Sequence, residues 1–344
     1  MDIFQTTGDG LIYRIRVHEF PGLMGNVYLV IFGKYRVLID VGSGFGESNN
    51  DLEQGLDEIS DIRREDCSFA NITHIFITHG HIDHYGGLTS TKKKTDAKVC
   101  IHELDRRIVT HHKERLSLAA HRLEVFLNEA GMIPEEIDNL LDLYKITKSM
   151  YQSVEVDISY EAFGMEIGPF KFIHVPGHCA GHVAIQLHDI LFSGDHVLEK
   201  TSPHQAPEQI TNSTGLDTYF NSLEIVRSFA KDVKLTLGGH EDPIFNLVER
   251  IDEIRSIHFD RLNKILHYLA EPHTVADISK YLFGDVNGYT ILLALEETGA
   301  HVEYLYQQGY LGIINIDDLE GLFKKCPFQY VAESCEIKNI THKR

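Results

Sequence analysis

The sequence predicts an α/β layered domain that carries a helical insertion and is followed by a helical, winged-helix-like module. Three observations carry that prediction. β-branched and aromatic runs bounded by turn residues fill most of the first hundred positions, apolar residues recur at helical spacing from about 103 to 152, and the chain after about 271 reads helix, helix, short strand. With 344 residues the chain is long enough for about two domains. The best boundary lies near 250, giving a domain over 1–250, with the insertion at about 103–152, and a second over 251–344.

The elements follow in order. GLIYRIRV (10–17), NVYLVIFG (26–33) and YRVLIDVG (35–42) read as strands, and FGKY reads as the turn of a hairpin. SNNDLEQGLDEISDI (48–62) reads as a polar-faced helix and HIFIT (74–78) as a short strand, an order that suggests layered α/β packing. RIVTHHKERLSLAAHRLEVFLNEAG (107–131) is predicted as one helix with Gly131 as its C-cap, and Pro134 opens the next, IPEEIDNLLDLYKITKSMY. Strands return at MEIGPFKFIHVPG, HVAIQLHD and DILFSGD. A helix from 217, a strand KLTLGGH (234–240) and a long helix over about 247–270 lead to HTVADISKYLFG and its helical successor, with GIINI as a short wing. No internal repeat or low-complexity segment interrupts this order.

Composition narrows the function classes. Thirty-two basic against 51 acidic residues give a net charge of -19, which argues against a general attraction to nucleic-acid backbones or anionic lipid. Between 271 and 320 nine acidic residues face the single basic Lys280, whereas a recognition helix needs Arg or Lys. The five cysteines, at 67, 100, 179, 326 and 335, form no CxxC pair and are expected to be reduced thiols. MDIFQTTGDGLIYRIRV lacks the features of a signal segment, and no window approaches about 18 uncharged apolar residues. A cytoplasmic protein without a membrane span is expected.

THGHIDHYGG (78–87) places His79, His81, Asp83 and His84 within six positions after a strand. Residues two apart project to one side of an extended segment, so His79 and His81 can reach one metal ion while Asp83 and His84 face a second. Imidazole and carboxylate suit zinc, iron and manganese. Gly80, Gly86 and Gly87 are expected to let the backbone bend tightly. Three further ligand-type residues stand at strand ends beside glycines: His178 in PGHCAGH, Asp195 in SGD and His240 in GGH.

These motifs, in this order over about residues 10–250, resemble the metallo-β-lactamase superfamily of αββα sandwiches. The resemblance implies that His79, His81 and His178 hold a first metal, that Asp83, His84 and His240 hold a second, and that Asp195 bridges them. It implies two divalent ions, zinc first, with manganese or iron as alternatives. Asp40, in LIDVGSG, is expected to support a ligand histidine, and His182 to support the site by hydrogen bonding. Glu241 and Asp242, in GGHED where many members have GHG, read slightly more as solvated loop acids than as site residues.

A dinuclear centre would give a bridging hydroxide at neutral pH, with Asp83 as the group that orients it or accepts its proton. The leading expectation is therefore a hydrolase of a small ester, thioester or lactone. Alternatives are a phosphodiesterase or ribonuclease on the same centre, a metal-dependent sensor with winged-helix output, and a mononuclear iron dioxygenase. The insertion is expected to form a lid or pocket wall. Tyr144, Tyr151, His111, His112 and His121 from it, and His204 from SPHQAPEQ, each read more readily as packed or exposed side chains than as substrate contacts. The C-terminal module is expected to pack on the catalytic domain, shape the pocket rim or support a homodimer.

Overall fold

The computed structural model describes residues 1–319 and 326–333; the expectation for Cys335 lies outside them. Three of the other cysteines are buried and all four are free thiols. No helix among the described residues is long and apolar enough to cross a membrane.

The chain folds as two units, and neither is one continuous segment. The first holds 1–115, 150–203 and 221–251; the second holds 116–149, 204–220 and the described residues from 252 onward.

Two sheets form the first unit. Seven strands, β1 (Asp2–Gln5), β2 (Leu11–Phe20), β3 (Leu23–Phe32), β4 (Tyr35–Ile39), β5 (His74–Phe76), β6 (Lys98–Ile101) and β7 (Ile158–Ser159), run side by side in chain order. The order β12-β11-β10-β9-β8 builds the second from β8 (Glu166–Ile167), β9 (Phe170–His174), β10 (Val183–Leu187), β11 (Ile190–Gly194) and β12 (Leu235–Gly238). β3 and β4 meet at Phe32 and Tyr35 across the two-residue turn Gly33-Lys34, with Gly33 at φ 55°.

The period-2 alternation of these strands decides which layer each residue enters. Ile12, Tyr28, Val30, Val37 and Ile39 point into a core shared with Phe170, Phe172, Ile185 and Phe192 of the second sheet. Their neighbours Tyr13, Ile15, Val17, Leu29 and Leu38 pack on the other face with Leu52, Leu56 and Ile59 of helix α1 (Ser48–Arg63). Strand ends, rather than the packed strand middles, carry the polar groups discussed below.

Two short helices, α2 (Ile82–Tyr85) and α3 (Leu88–Thr91), follow β5. The helix expected over 107–131 is broken. It is α4 (Glu103–Thr110) and α5 (His112–Glu129), parted at His111, whose φ of -131° and ψ of 48° leave the helical region. No glycine or proline causes the break. Instead the His112 amide donates to Ser153 Oγ at 3.0 Å and the ring meets Tyr85 Oη at 3.0 Å. Gly131 takes the capping conformation at φ 91°, and Pro134 begins α6 (Pro134–Ser149).

In the second unit, residues of α5 and α6 associate with those of α7 (Leu216–Phe229), α8 (Leu247–Tyr268), α9 (Val275–Phe283) and α10 (Tyr289–Gln307) that lie within it. A short antiparallel pair, β13 (Leu311–Ile313) and β14 (Tyr330–Ala332), closes the series. Its buried polar network centres on Glu297, which accepts from Arg261 Nη1 at 2.7 Å and from the Gln205 amide at 2.7 Å. His301 Nδ1 donates to the Glu297 carbonyl at 2.7 Å, so its Nε2 accepts from His258 Nδ1 at 3.1 Å. His258, Glu297 and His301 form a group of metal-type side chains. Arg261 already balances the Glu297 charge, and the group reads as a packing network.

Candidate metal centre

His79, His81 and His178 present ring nitrogens that all lie within 4.8 Å of one another, and Asp83, His84, Asp195 and His240 form a second group by the same measure. All seven predicted residues are thus brought together. His79 and His81 leave the C-terminal end of β5, His178 follows β9, Asp195 follows β11 and His240 follows β12. Within the first group His79 Nε2 and His81 Nδ1 are 3.1 Å apart. Asp195 Oδ2 stands 3.4 Å from His84 Nε2, 3.3 Å from His240 Nε2 and 4.0 Å from His178 Nε2, so it touches both groups. Asp83 Oδ2 is 3.4 Å from His240 Nε2 and 3.9 Å from His84 Nε2.

Hydrogen bonds behind the rings fix their tautomers. Asp40 Oδ2 accepts from both Thr78 Oγ1 and His84 Nδ1 at 2.8 Å, and Oδ1 accepts from the Thr78 amide at 2.8 Å. With its hydroxyl proton committed to Asp40, Thr78 Oγ1 accepts from His79 Nδ1 at 3.0 Å. His240 Nδ1 donates to the Met24 carbonyl at 2.7 Å. In His79, His84 and His240 it is therefore Nε2 that turns inward. His84 Nε2 and Asp195 Oδ1 are buried with no hydrogen-bond partner among the described residues. Orphaned buried atoms of this kind are costly, and converging imidazole lone pairs and carboxylates are what a divalent cation satisfies. The residues fit a metal.

Electrostatics agree. Burial, with the neighbouring histidines adding to it, holds His79 well below the usual imidazole range. Burial opposes charge on His84 and His240, but the Asp195, Asp40 and Asp83 carboxylates around His84, and Asp195 and Asp83 beside His240, outweigh it and raise both. Asp83 and Asp195 are held low against their own burial by His84 and His240. Protons thus occupy the acidic group where a cation would sit.

The supporting residues stand as follows. Asp40 holds φ 60°, a left-handed conformation rare outside glycine. His182 stacks on His79 at 4.5 Å and accepts the Asp195 amide at 3.1 Å through Nε2. Glu241 and Asp242 are not simply solvated. Glu241 accepts from the Thr201 amide at 3.2 Å, and Asp242 pairs with Arg16 at 2.7 Å and with Arg14 at 3.4 Å.

The glycine expectation needs correction. Gly80, Gly86 and Gly87 do not have positive φ; they are required by close approach. A Cβ on Gly86 would lie 2.2 Å from the Ser43 carbonyl oxygen, and one on Gly87 2.3 Å from that of Val41.

Of the insertion residues, His112 is buried against Tyr85, and a Cβ on Gly86 would meet Tyr151 at 2.7 Å. His111 and His121 are exposed, and Tyr144 is half-buried beneath the Lys148 ammonium. His204 meets Glu296 at 3.1 Å within the second unit.

Sequence reasoning missed three supports. Glu19, buried at the end of β2, accepts from the Ser43 amide, and burial with the nearby Asp83 charge pushes it up to about 7. Its signal was a charged residue at an inward position of an alternating strand. Asp105 and the stacked pair His102–His174 gave no local signal.

Residues 20–249 match the family model described as the metallo-beta-lactamase superfamily. A beta-lactamase-like protein 2 homolog of Caenorhabditis elegans is 25% identical over 87% of this chain and 85% of its own length. A thioesterase, pkgB, of Emericella nidulans is 25% identical over 71% of this chain and 54% of its own length. Among solved structures, a metallo-beta-lactamase family protein of Thermus thermophilus shares the fold, with a TM-score of 0.72 at 24% identity over 94% of this chain and 98% of that one.

Proposed function

The chain belongs to the metallo-beta-lactamase superfamily of metal-dependent hydrolases, and on that footing we propose that it is a dinuclear metallohydrolase of a small ester, thioester or lactone. The observation that carries the reading is the convergence of two donor groups on Asp195, whose Oδ2 lies within 4.0 Å of His178, His84 and His240. His79, His81 and His178 are read as holding one ion, Asp83, His84 and His240 the other, and Asp195 as shared by both.

Bound there, two divalent ions would lower the pKa of water from about 15.7 toward about 7 and polarise the bond under attack. Zinc is the ion we favour, on its affinity for imidazole and carboxylate. Asp83 is the side chain read as orienting the attacking water and accepting its proton, since its Oδ2 lies within the second donor group, 3.4 Å from His240 Nε2. Asp40 and Thr78 hold the rings in register behind it.

An acyl substrate is supported by the net charge of -19, which disfavours polyanions, and by the thioesterase among the relatives. We read α9, α10 and the β13–β14 pair as a winged-helix-like module that does not bind nucleic acid, since Lys280 is the single basic residue between 271 and 320.

The test is metal analysis of the purified protein together with hydrolysis assays over esters, thioesters, lactones and phosphodiesters. Two ions per chain, and acyl hydrolysis lost in a His79→Ala, His81→Ala double variant, are expected. Full activity in a metal-free preparation, or turnover confined to phosphodiesters, overturns the reading.

A further inference from the structure

Asp105 is a fully buried carboxylate on the first turn of α4, a helix that sequence reasoning assigned to the insertion. Its side chain joins two loops that lie far apart in the chain. Oδ2 accepts from the Gly80 amide at 2.8 Å, and Oδ1 accepts from the Gly181 amide at 2.8 Å. Oδ2 also accepts from Cys179 Sγ at 3.2 Å. Gly80 lies between His79 and His81, and Cys179 and Gly181 flank the turn that follows His178. One carboxylate therefore bonds the backbone of both segments that carry the first donor group, and none of these three bonds reaches the segments carrying Asp195 and His240.

The surroundings are shaped for that contact. A Cβ on Gly181 would lie 2.7 Å from Asp105 Cγ and 2.8 Å from its backbone nitrogen, and one on Gly80 would lie 3.2 Å from Asp105 Cγ and 2.7 Å from Ile108 Cδ1. Neither glycine has positive φ, so close approach of α4 is what excludes a side chain there.

Two histidines hold the start of α4 and the PGHCAGH loop. His102 caps the helix by accepting the Leu104 amide at 3.3 Å through Nδ1, which leaves Nε2 to donate to Glu161 at 3.0 Å. His174 stacks on His102 at 4.0 Å and donates from Nε2 to the Ala180 carbonyl at 2.9 Å. Burial pushes the Asp105 carboxyl up, and the thiol and two amides aimed at it oppose that. An acceptor so placed is costly to remove, because its donors are left buried and unpaired.

We propose that Asp105 is a positioning residue for the first metal site: it locks the Gly80 and Gly181 backbones together so that His79, His81 and His178 converge, while its three bonds leave the segments that carry Asp195 and His240 untouched. The inference rests on the proposed assignment of those histidines to one ion. It makes a selective claim, that losing Asp105 weakens one of two sites, which a general destabilisation would not produce.

The experiment is graded chelation of the full-length, metal-loaded protein followed by metal analysis, on wild type, Asp105→Asn and Cys179→Ala. Asparagine keeps the shape but turns a donor toward one of the two amides. Asp105→Asn is expected to release one ion at about 10- to 100-fold lower chelator concentration and to hold the other as wild type does. Cys179→Ala, which keeps both amide bonds, is expected to match wild type. Should Asp105→Asn fail to fold, Gly181→Ala makes the same test from the opposite side of the contact. Two ions lost in parallel, or a variant indistinguishable from wild type, overturns the inference while leaving the dinuclear reading intact. A wild-type protein that binds no ion overturns both.

Discussion

Replacing Asp40 by asparagine isolates the effect of a single proton position. Asp40 accepts three hydrogen bonds, from the Thr78 amide, Thr78 Oγ1 and His84 Nδ1, each at 2.8 Å. An asparagine oxygen can keep the amide bond, and asparagine tolerates the left-handed φ of 60°. Its NH2 then faces two donors. The Thr78 hydroxyl can rotate and accept, but His84 Nδ1 can accept only if its proton moves to Nε2, the atom 3.4 Å from Asp195. The variant thus forces either a donor–donor contact or the tautomer whose lone pair faces away from the site. Losing such an outer partner typically lowers metal affinity about 10- to 100-fold, or about 1.4 to 2.8 kcal/mol. The assay is competition with a chelator, accompanied by thermal unfolding of the metal-free protein. An unchanged chelation midpoint would refute the tautomer argument, as would a stability loss in the metal-free protein as large as the affinity loss.

Three other outcomes follow from the same geometry. Adding a divalent ion to metal-free protein near pH 7 is expected to release about one to two protons per chain, because the Asp195 and Asp83 carboxylates hold His84 and His240 protonated against burial; calorimetry in buffers of different ionisation heat measures this, and zero release contradicts it. Gly87→Ala is expected to cost about 1 to 3 kcal/mol or more in urea unfolding, since its Cβ would meet the Val41 carbonyl oxygen at 2.3 Å; a variant as stable as wild type disproves the close-approach argument. Burial and the adjacent His301, against the pull of Glu297, depress His258 from 6.5 to about 3. A base depressed in the folded state contributes stability that is full above pH 6.5 and is lost as pH falls toward 3, at up to about 1.4 kcal/mol per pH unit. Between pH 6 and 4 wild type should therefore lose about 2 kcal/mol more than His258→Gln, and parallel pH profiles would refute the assignment.

Much of this was legible locally. β-branched alternation marked the strands, Gly131 and Pro134 marked a helix end and a helix start, and seven ligand-type residues stood out because they sit at strand ends beside glycines. What was not legible depends on distant partners. The break at His111 is set by Tyr85 and Ser153, which lie 27 and 41 residues from His112. Asp105 looked like an ordinary helix residue because the groups it binds are 25 and 76 residues away. The division into units is of the same kind. Residues 116–149 and 204–220 group with the described residues from 252 onward, and no composition shift at 116 or 204 announces it.

The glycines show how a local signal can be right while its stated cause is wrong. Flexibility would allow the ligand loops many conformations, and a metal site assembled that way would have to order them on binding. Here Gly86 and Gly87 of THGHIDHYGG let carbonyl oxygens, and Gly80 of the same motif and Gly181 of PGHCAGH let the Asp105 carboxyl group, come closer than a side chain permits. Each such approach carries or protects a hydrogen bond: the Gly87 amide donates to the Gly42 carbonyl at 2.8 Å, and Gly80 and Gly181 donate to Asp105. Those bonds fix the backbone from which the histidines project, and the bonds of Asp40, Thr78 and Met24 fix the rings. Substitution at these glycines should therefore act through lost ligand position even where φ is unstrained. That separates them from Gly33, whose positive φ of 55° serves only a hairpin turn.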